Sequence, residues 1–369
     1  MKYIYSILLI VSTFLAVNSC YVHQFPKDGT PAQVDIQLYY DTDLPPFLTL
    51  DVDSMFTKSS SERDLRYILR FHRRLSDGTY ARDAEYSYTF TKDDVTDLNH
   101  NVTMYVPEGD YRLLVWSDYV NQGSEEHLYY NTDNFTDIIM QTDPYTGNED
   151  SKDAFTGSID IQVVRYGSQE EPVKAVVNMR RPLAKFVFIT TDLDDFITKM
   201  IELGQTDGNP MDQNIDIEAY DVIFFYKSFV PTEFNMFTDK PIDAKTGLRF
   251  HSKLERISDT EAEMGFDYIL VNGTESSIIV AVGLFDKDGN QLSMTTDIEV
   301  PIVRSKLTTV RGSFLMQEAG GGVYIDSSYD DEFNIFIPLY EYQYEKDNIC
   351  SNIFVIASFS IQLFGERAC

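Results

Sequence analysis

The stretch that decides the fold reads Asn178-Met179-Arg180-Arg181-Pro182-Leu183-Ala184-Lys185-Phe186-Val187-Phe188-Ile189-Thr190. Pro182 has no backbone N–H and disfavours a helical conformation in the residue before it. After it, apolar residues occupy both alternating faces, which is typical of a short strand that is buried on both sides. We interpret this stretch as the first strand of a second β domain.

The sequence on either side consists of short strand patterns separated by polar turns. Residues 34–40 alternate between apolar and polar side chains, and residues 102–106 and 111–117 flank a Pro-Glu-Gly-Asp turn as a hairpin. Residues 66–72 predict a strand with Arg66, Arg70 and His72 facing outward, with a helix as the alternative. Residues 194–203 are the best helix candidate, and Gly204 would end that helix.

These patterns predict an all-β chain of two tandem antiparallel β-sandwich domains with minor helices. A length of 369 residues fits two domains. The predicted division is a signal peptide at 1–19, a lipidated tether at 20–32, an N-terminal sandwich at 33–179, a C-terminal sandwich at 180–340 and a tail at 341–369. The alternation in residues 353–363 predicts an extra strand in that tail, and a disordered tail without function is the alternative.

The N-terminus has the features of a bacterial lipoprotein signal. Lys2 precedes an apolar run at residues 7–17 that is too short to span a bilayer. The run ends in Val17-Asn18-Ser19-Cys20, which is similar to a lipobox. We therefore expect cleavage before Cys20 and acylation of its thiol, as a palmitate-bearing membrane anchor. An ordinary signal peptide followed by a chance cysteine is the alternative.

Composition excludes several classes of function. The formal charge of −29 argues against nucleic acid as a partner. Besides Cys20 the chain has Cys350 and Cys369, too few for a disulfide framework or a metal cluster. Phosphate-loop, dinucleotide, zinc-protease and nucleophile-elbow motifs are missing from the sequence. We expect no catalytic residues, no metal and no cofactor.

Two sets of residues are candidates for ligand binding. Trp116, Phe234 and Phe237 would be the aromatic platforms of a glycan site, with Phe234 and Phe237 in a long, exposed-looking excursion at 231–247. A core role for Trp116 is the favoured interpretation. The polar segment 122–152, with a turn of helix at 135–140, leads into a group of acids that could hold Ca²⁺, although a solvated acidic loop is favoured. The acids are Asp143, Glu149, Asp150 and Asp153.

Several short motifs, taken in order, resemble the fimbrillin-like lipoproteins of Bacteroidales, which include anchor subunits of type V pili. The resemblance spans residues 20–338 and lies in four segments besides the lipobox: His23-Gln24-Phe25-Pro26, the stretch 106-VPEGDYRLLVWSD-118, Arg181-Pro182-Leu183-Ala184-Lys185-Phe186, and the stretch 301-PIVRSKLTTVRG-312. It implies two transthyretin-like sandwiches, an outer-membrane location and growth of a surface fibre by strand exchange between subunits. It implies no catalytic residues.

The resulting expectation is an outer-membrane lipoprotein that acts as a fimbrial anchor, assembly or adhesion subunit. Its partners would be the membrane, through the lipid on Cys20, and fimbrial shaft subunits. Exposure on the cell surface is favoured over a periplasm-facing orientation. The alternative function is a carbohydrate-binding surface lipoprotein of a glycan-uptake system.

Overall fold

The computed structural model describes residues 31–40, 63–93, 100–164, 171–204, 215–317 and 333–337. Cys20, the predicted signal and most of the tether lie outside the described residues, as does the tail at 341–369. Up to Met179 the described chain forms the strands β1 (Pro31–Tyr40), β2 (Arg63–Arg73), β3 (Tyr86–Lys92), β4 (His100–Pro107), β5 (Gly109–Asn121), β6 (Tyr130–Asn131), β7 (Ile138–Met140), β8 (Ala154–Val163) and β9 (Val173–Met179).

The stretch after Pro182 begins the second series of elements. These are β10 (Leu183–Thr190), the helix α1 (Leu193–Glu202), β11 (Asp221–Tyr226), β12 (Val230–Asn235), β13 (Lys240–Lys245), β14 (Arg249–Lys253), β15 (Glu255–Arg256), β16 (Ala262–Leu270), β17 (Glu275–Phe285), β18 (Gln291–Met294), β19 (Ile298–Val303), β20 (Leu307–Gly312) and β21 (Phe333–Ile337). Short 3-10 turns lie at Asp150–Lys152 and Ile217–Ala219.

The N-terminal half packs two sheets face to face. One has the order β4-β1-β9 and the other the order β3-β2-β5-β8. The hairpin predicted for residues 102–106 and 111–117 is wrong, because β4 pairs with β1 whereas β5 pairs with β2 and β8 in the facing sheet. The alternation in β1 places Val34, Ile36 and Leu38 in the core between the sheets, where all three are fully buried. Burial of such apolar side chains is the main contribution to the folding free energy of the N-terminal half, at about 25 cal/mol per Å² of apolar surface removed from water.

The C-terminal half repeats this arrangement. Its sheets have the orders β15-β16-β10-β20-β21 and β14-β11-β17-β18, and β19 also pairs with β17. The first strand of each half lies between an antiparallel neighbour and a parallel one: β1 between β4 and β9, and β10 between β16 and β20. The predicted all-β fold of two tandem sandwiches is confirmed. The described strands form one compact unit, so a domain boundary at 179/180 stays a prediction.

The predicted strand at residues 66–72 and the predicted helix are confirmed as β2 and α1. The outward placement of Arg66 and His72 is wrong, because both side chains are buried. β2 is a central strand that is covered on both faces. Arg66 lies against Asp118, and His72 lies against Phe237 from the other half of the chain.

Two segments that the sequence indicates as irregular are strands instead. The segment 122–152 contains β6 and β7, where a turn of helix was expected at 135–140, and the excursion at 231–247 contains β12 and β13. These strands form a sheet of order β13-β12-β7-β6 with members from both halves. Each segment alone offers too short a pattern to predict a strand, and the pairing of β7 with β12 supplies the missing partner.

Candidate interaction surface

The interior between the two halves contains the aromatic residues that the sequence indicates as glycan platforms. Trp116 and Phe234 are fully buried, with ring centroids 6.3 Å apart, and Trp116 also meets Tyr130 edge to face at 5.4 Å. Phe237 is half-buried and packs its ring against His72. The core role of Trp116 is confirmed, and none of these three rings forms an open platform.

Two of the four candidate calcium ligands, Asp150 and Asp153, are engaged in ion pairs, whereas Asp143 and Glu149 are exposed. Asp153 accepts hydrogen bonds from Arg181, with both side chains fully buried, and Asp150 accepts one from Lys185 at 2.6 Å. In the described part of the chain, no group of His, Cys, Asp and Glu side chains is arranged to hold a metal ion. The solvated-loop interpretation is wrong for Asp153, because the C-terminal half covers it.

Lys152 and Asp267 form a second buried pair across the two halves. Nζ of Lys152 lies 2.5 Å from Oδ1 of Asp267, and the hydroxyls of Tyr145 and Tyr226 donate to Oδ2 at 2.6 and 2.5 Å. Burial lowers the pKa of Lys152, with Asp267 opposing that shift, and burial raises the pKa of both tyrosines. Sequence reasoning missed this site, because its four residues are separated by up to 122 positions.

Arg66 and Asp118 form a third buried pair, within the N-terminal half. Nε and Nη2 of Arg66 donate to the two carboxylate oxygens of Asp118 at 2.9 and 2.7 Å. Nη1 donates to the backbone carbonyl of Glu125 at 2.7 Å. Through these three hydrogen bonds, Arg66 links the β2–β5 sheet to the start of the segment that carries β6 and β7. Because β6 and β7 belong to the sheet shared by both halves, the pair helps to position that shared sheet.

The sheet of β1, β4 and β9 offers an accessible face on the side away from the core. Tyr105 is 65% exposed, and Tyr39 and Val176 are also exposed. Beside them lies a depression of about 410 Å³, whose polar lining residues are Asp35, Gln37, Asn101, Thr103 and Lys174. Hydrogen bonds from Gln33 and then Thr103 hold the pKa of Asp35 below its ordinary value. A polar face with flanking tyrosines suits contact with another macromolecule.

The edges of the two equivalent sheets differ. In the C-terminal half, β21 pairs in parallel with β20 along residues 308–312. Among the described strands of the N-terminal half, β9 takes the place of β20 and lies at the edge of its sheet. An edge strand presents backbone donors and acceptors that can pair with an additional strand.

None of the helices in the described ranges has the length and hydropathy needed to cross a bilayer.

Comparison with known proteins gives one family match. The model of a family of unknown function, DUF6562, matches residues 29–351. No curated protein matches the chain. Among solved structures, the fimbrial anchor protein Mfa2 of Porphyromonas gingivalis is 11% identical, with 73% of this chain and 82% of that chain covered and a TM-score of 0.37.

Two further solved structures are similar at the same level. A candidate polysaccharide binding protein of Bacteroides thetaiotaomicron is 10% identical, and the match covers 71% of this chain and 79% of that protein, with a TM-score of 0.41. A candidate cell adhesion protein of Bacteroides eggerthii is 11% identical, and the match covers 85% of this chain and 100% of that protein, with a TM-score of 0.38. At this distance, function has to be argued from the residues of this chain.

Proposed function

We propose that this chain, which belongs to the family of unknown function DUF6562, is a lipid-anchored cell-surface protein that acts as a fimbrial anchor, assembly or adhesion subunit without catalysis. The observation that carries the proposal is the position of β1. It is the first strand of the described residues and begins within the last two residues of the predicted tether. It forms the centre of a sheet whose outer face is accessible and whose edge strand is β9.

The proposed anchor constrains where this sheet lies. Pro31, the first residue of β1, follows Cys20 by only eleven positions. An extended chain of that length spans at most about 40 Å. A lipid on Cys20 would therefore hold the N-terminal half close to the membrane. An anchor subunit needs this arrangement, because its other end has to stay free for the rest of the fibre.

The edge strands supply a mode of assembly. Parallel pairing of β21 with β20 is how this fold extends the sheet of its C-terminal half. A strand from a neighbouring subunit would add to β9 by the same backbone hydrogen bonding, and alternate side chains would set its specificity. The proposal is that fimbrial subunits contact this chain through such strand addition.

The glycan-binding alternative has weaker support from the side chains. Two of its three candidate aromatics, Trp116 and Phe234, are buried between the halves, and Phe237 is half-buried against His72. A glycan site would have to use other residues, such as Tyr39 and Tyr105 on the outer sheet face. These two lie near opposite ends of that sheet, since Gln33 faces Tyr105 and Tyr39 faces Asn178.

Lipidation of Cys20 is tested by replacing the thiol. Cys20→Ala removes the acceptor for the acyl chains, and the multiple chains of a lipoprotein are what hold it firmly in a bilayer. We expect the variant to leave the membrane fraction or to stay uncleaved, with no labelled fatty acid incorporated. Continued incorporation by a membrane-bound variant would place the anchor elsewhere.

The fimbrial role is tested on the cell surface. Deletion of the gene in the native host should shorten, lengthen or release surface fibres, as electron microscopy would measure. Complementation with the wild type should restore them, whereas Cys20→Ala should restore the amount of protein without restoring attached fibres. Fibres that are unchanged in number, length and attachment would refute the fimbrial role.

A further inference from the structure

The buried pair of Lys152 and Asp267 has the geometry of two groups that can react with one another. The two polar atoms are 2.5 Å apart, and the exposed fractions of the side chains are 2% and 0%. Lys152 ends the 3-10 turn ahead of β8, and Asp267 lies in β16. We propose that this site forms an intramolecular amide bond between the Lys152 amine and the Asp267 carboxyl group.

The surrounding tyrosines complete the site. The hydroxyl of Tyr145 accepts a hydrogen bond from Nζ of Lys152 at 3.2 Å and donates to Oδ2 of Asp267 at 2.6 Å, so it touches both reacting groups. Tyr226 donates to the same oxygen at 2.5 Å. The ring of Tyr145 lies 4.4 Å from Nζ. The backbone N–H of Tyr268 donates to Oδ1 at 2.7 Å.

Burial favours the neutral amine that the reaction needs. Burial penalises both charges of an ion pair, and a proton that moves from the ammonium to the carboxylate removes both charges at once. The lowered pKa of Lys152, which burial causes, is in the direction of a neutral and nucleophilic amine. The product is a neutral amide that carries no desolvation penalty for charge.

The reaction balances without another reagent. One proton passes from Nζ to Oδ1, which gives an amine and a carboxylic acid. Nζ then attacks Cγ, and the negative charge that develops on Oδ2 is stabilised by the two tyrosine hydroxyls. Nζ loses a second proton to Oδ1, the bond between Cγ and Oδ1 breaks, and one water molecule leaves.

The other buried pairs show why the reaction is confined to this site. Arg66–Asp118 and Arg181–Asp153 are equally buried, but a guanidinium stays protonated in proteins and is not a nucleophile. Lys185 and Asp150 are also close, but both side chains are partly exposed, so water solvates their charges. Lys152 combines an amine, full burial and two donors on the partner carboxylate.

The bond would join the two halves of the chain across their interface. Lys152 and Asp267 are 115 positions apart, so the cross-link closes a long loop that contains the junction between β9 and β10. A covalent closure of this kind restricts the unfolded chain. For a tethered surface protein, it would also carry tension directly from the N-terminal half to the C-terminal half.

Peptide mass spectrometry of the purified full-length chain tests the proposal. Trypsin cannot cleave after an acylated lysine, so the expected product is residues 113–165 joined to residues 257–287, lighter than the two peptides together by one water molecule. Recovery of 113–152, 153–165 and 257–287 as separate peptides, with no joined species from folded protein, would overturn it. Circular dichroism before digestion establishes that the sample is folded.

Variants test the assigned roles. Lys152→Arg keeps a positive charge but removes the amine, so the joined peptide should disappear while cleavage after position 152 returns. Tyr145→Phe combined with Tyr226→Phe removes both donors to Oδ2 and should slow formation of the joined peptide about 10²-fold after refolding. A double variant that reacts at the wild-type rate would contradict the role of the tyrosines.

Discussion

Arg181 donates to Asp153 through Nε and Nη2 at 2.8 and 2.6 Å, and neither side chain has any exposed surface. The guanidinium also lies over the ring of Phe155, 4.7 Å from its centroid. Arg181 belongs to the junction between β9 and β10, and Asp153 directly precedes β8. The junction between the halves is therefore part of a packed interior and has few properties of an exposed linker.

The neighbouring arginines of this junction give a matched pair of variants. Arg181→Met should lower the free energy of unfolding by about 3–5 kcal/mol, because it leaves the Asp153 carboxylate buried without a counter-charge. Arg180 is largely exposed and pairs with Asp239, so Arg180→Met should cost under about 1 kcal/mol. Urea unfolding measures both. Equal losses in the two variants would contradict the buried role of Arg181.

Trp116 is the single tryptophan and reports on the interface between the halves. Its fluorescence should be blue-shifted and poorly quenched by acrylamide in the folded chain, and both properties should reverse in denaturant. Phe234→Ala removes a buried ring that packs near it and should destabilise the chain by about 3–5 kcal/mol. Phe229→Ala is the control, since Phe229 is 70% exposed. Ready quenching of Trp116 in the native state would refute the buried position.

His72 should make the folded chain sensitive to acid. Nδ1 donates to the carbonyl of Ala81 at 3.0 Å, and the ring packs against Phe237. Burial lowers the pKa of His72 from its ordinary 6.5, and the nearby positive charge of Arg70 acts in the same direction. The folded state thus prefers the neutral ring. Its stabilisation is complete above about pH 6.5 and is lost as the pH falls through the lower pKa of the folded state.

Thermal unfolding between about pH 7.5 and pH 5 measures this contribution. His72→Gln keeps an amide donor for the Ala81 carbonyl but does not titrate, so its melting temperature should fall less steeply than that of the wild type. His251→Gln is the control, because His251 is 57% exposed on β14. If the melting temperature of His72→Gln falls with pH as steeply as that of the wild type, other groups cause the acid sensitivity.

The sequence predicts those parts of the structure that local pattern determines. Alternation identifies the strands β1, β4 and β5, although not the sheets in which β4 and β5 lie. The double-sided apolar run after Pro182 identifies β10, because burial on one or both faces leaves a period that can be read from neighbouring residues. The helix α1 is recognisable from its amphipathic pattern and Gly204.

The interface between the halves could not be predicted in this way, because its strands and charges have distant partners. β7 is three residues long and becomes a strand through pairing with β6 and β12. Asp153 and Lys152 lie in a segment of acidic and polar composition, and only the folded chain brings Arg181 and Asp267 to them. A lysine beside an acidic run offers no signal that distinguishes a buried pair from a solvated one.

Co-purification from the native host tests the proposed role of this chain as a subunit of a surface fibre. The tagged wild-type protein would be isolated from mildly solubilised outer membranes, with a strain lacking the tag as the control, and the associated proteins would be identified by mass spectrometry. We expect a fimbrial shaft subunit in the eluate. If the chain elutes without fibre subunits and is instead retained on a polysaccharide affinity gel, the fimbrial role is wrong and glycan binding is favoured.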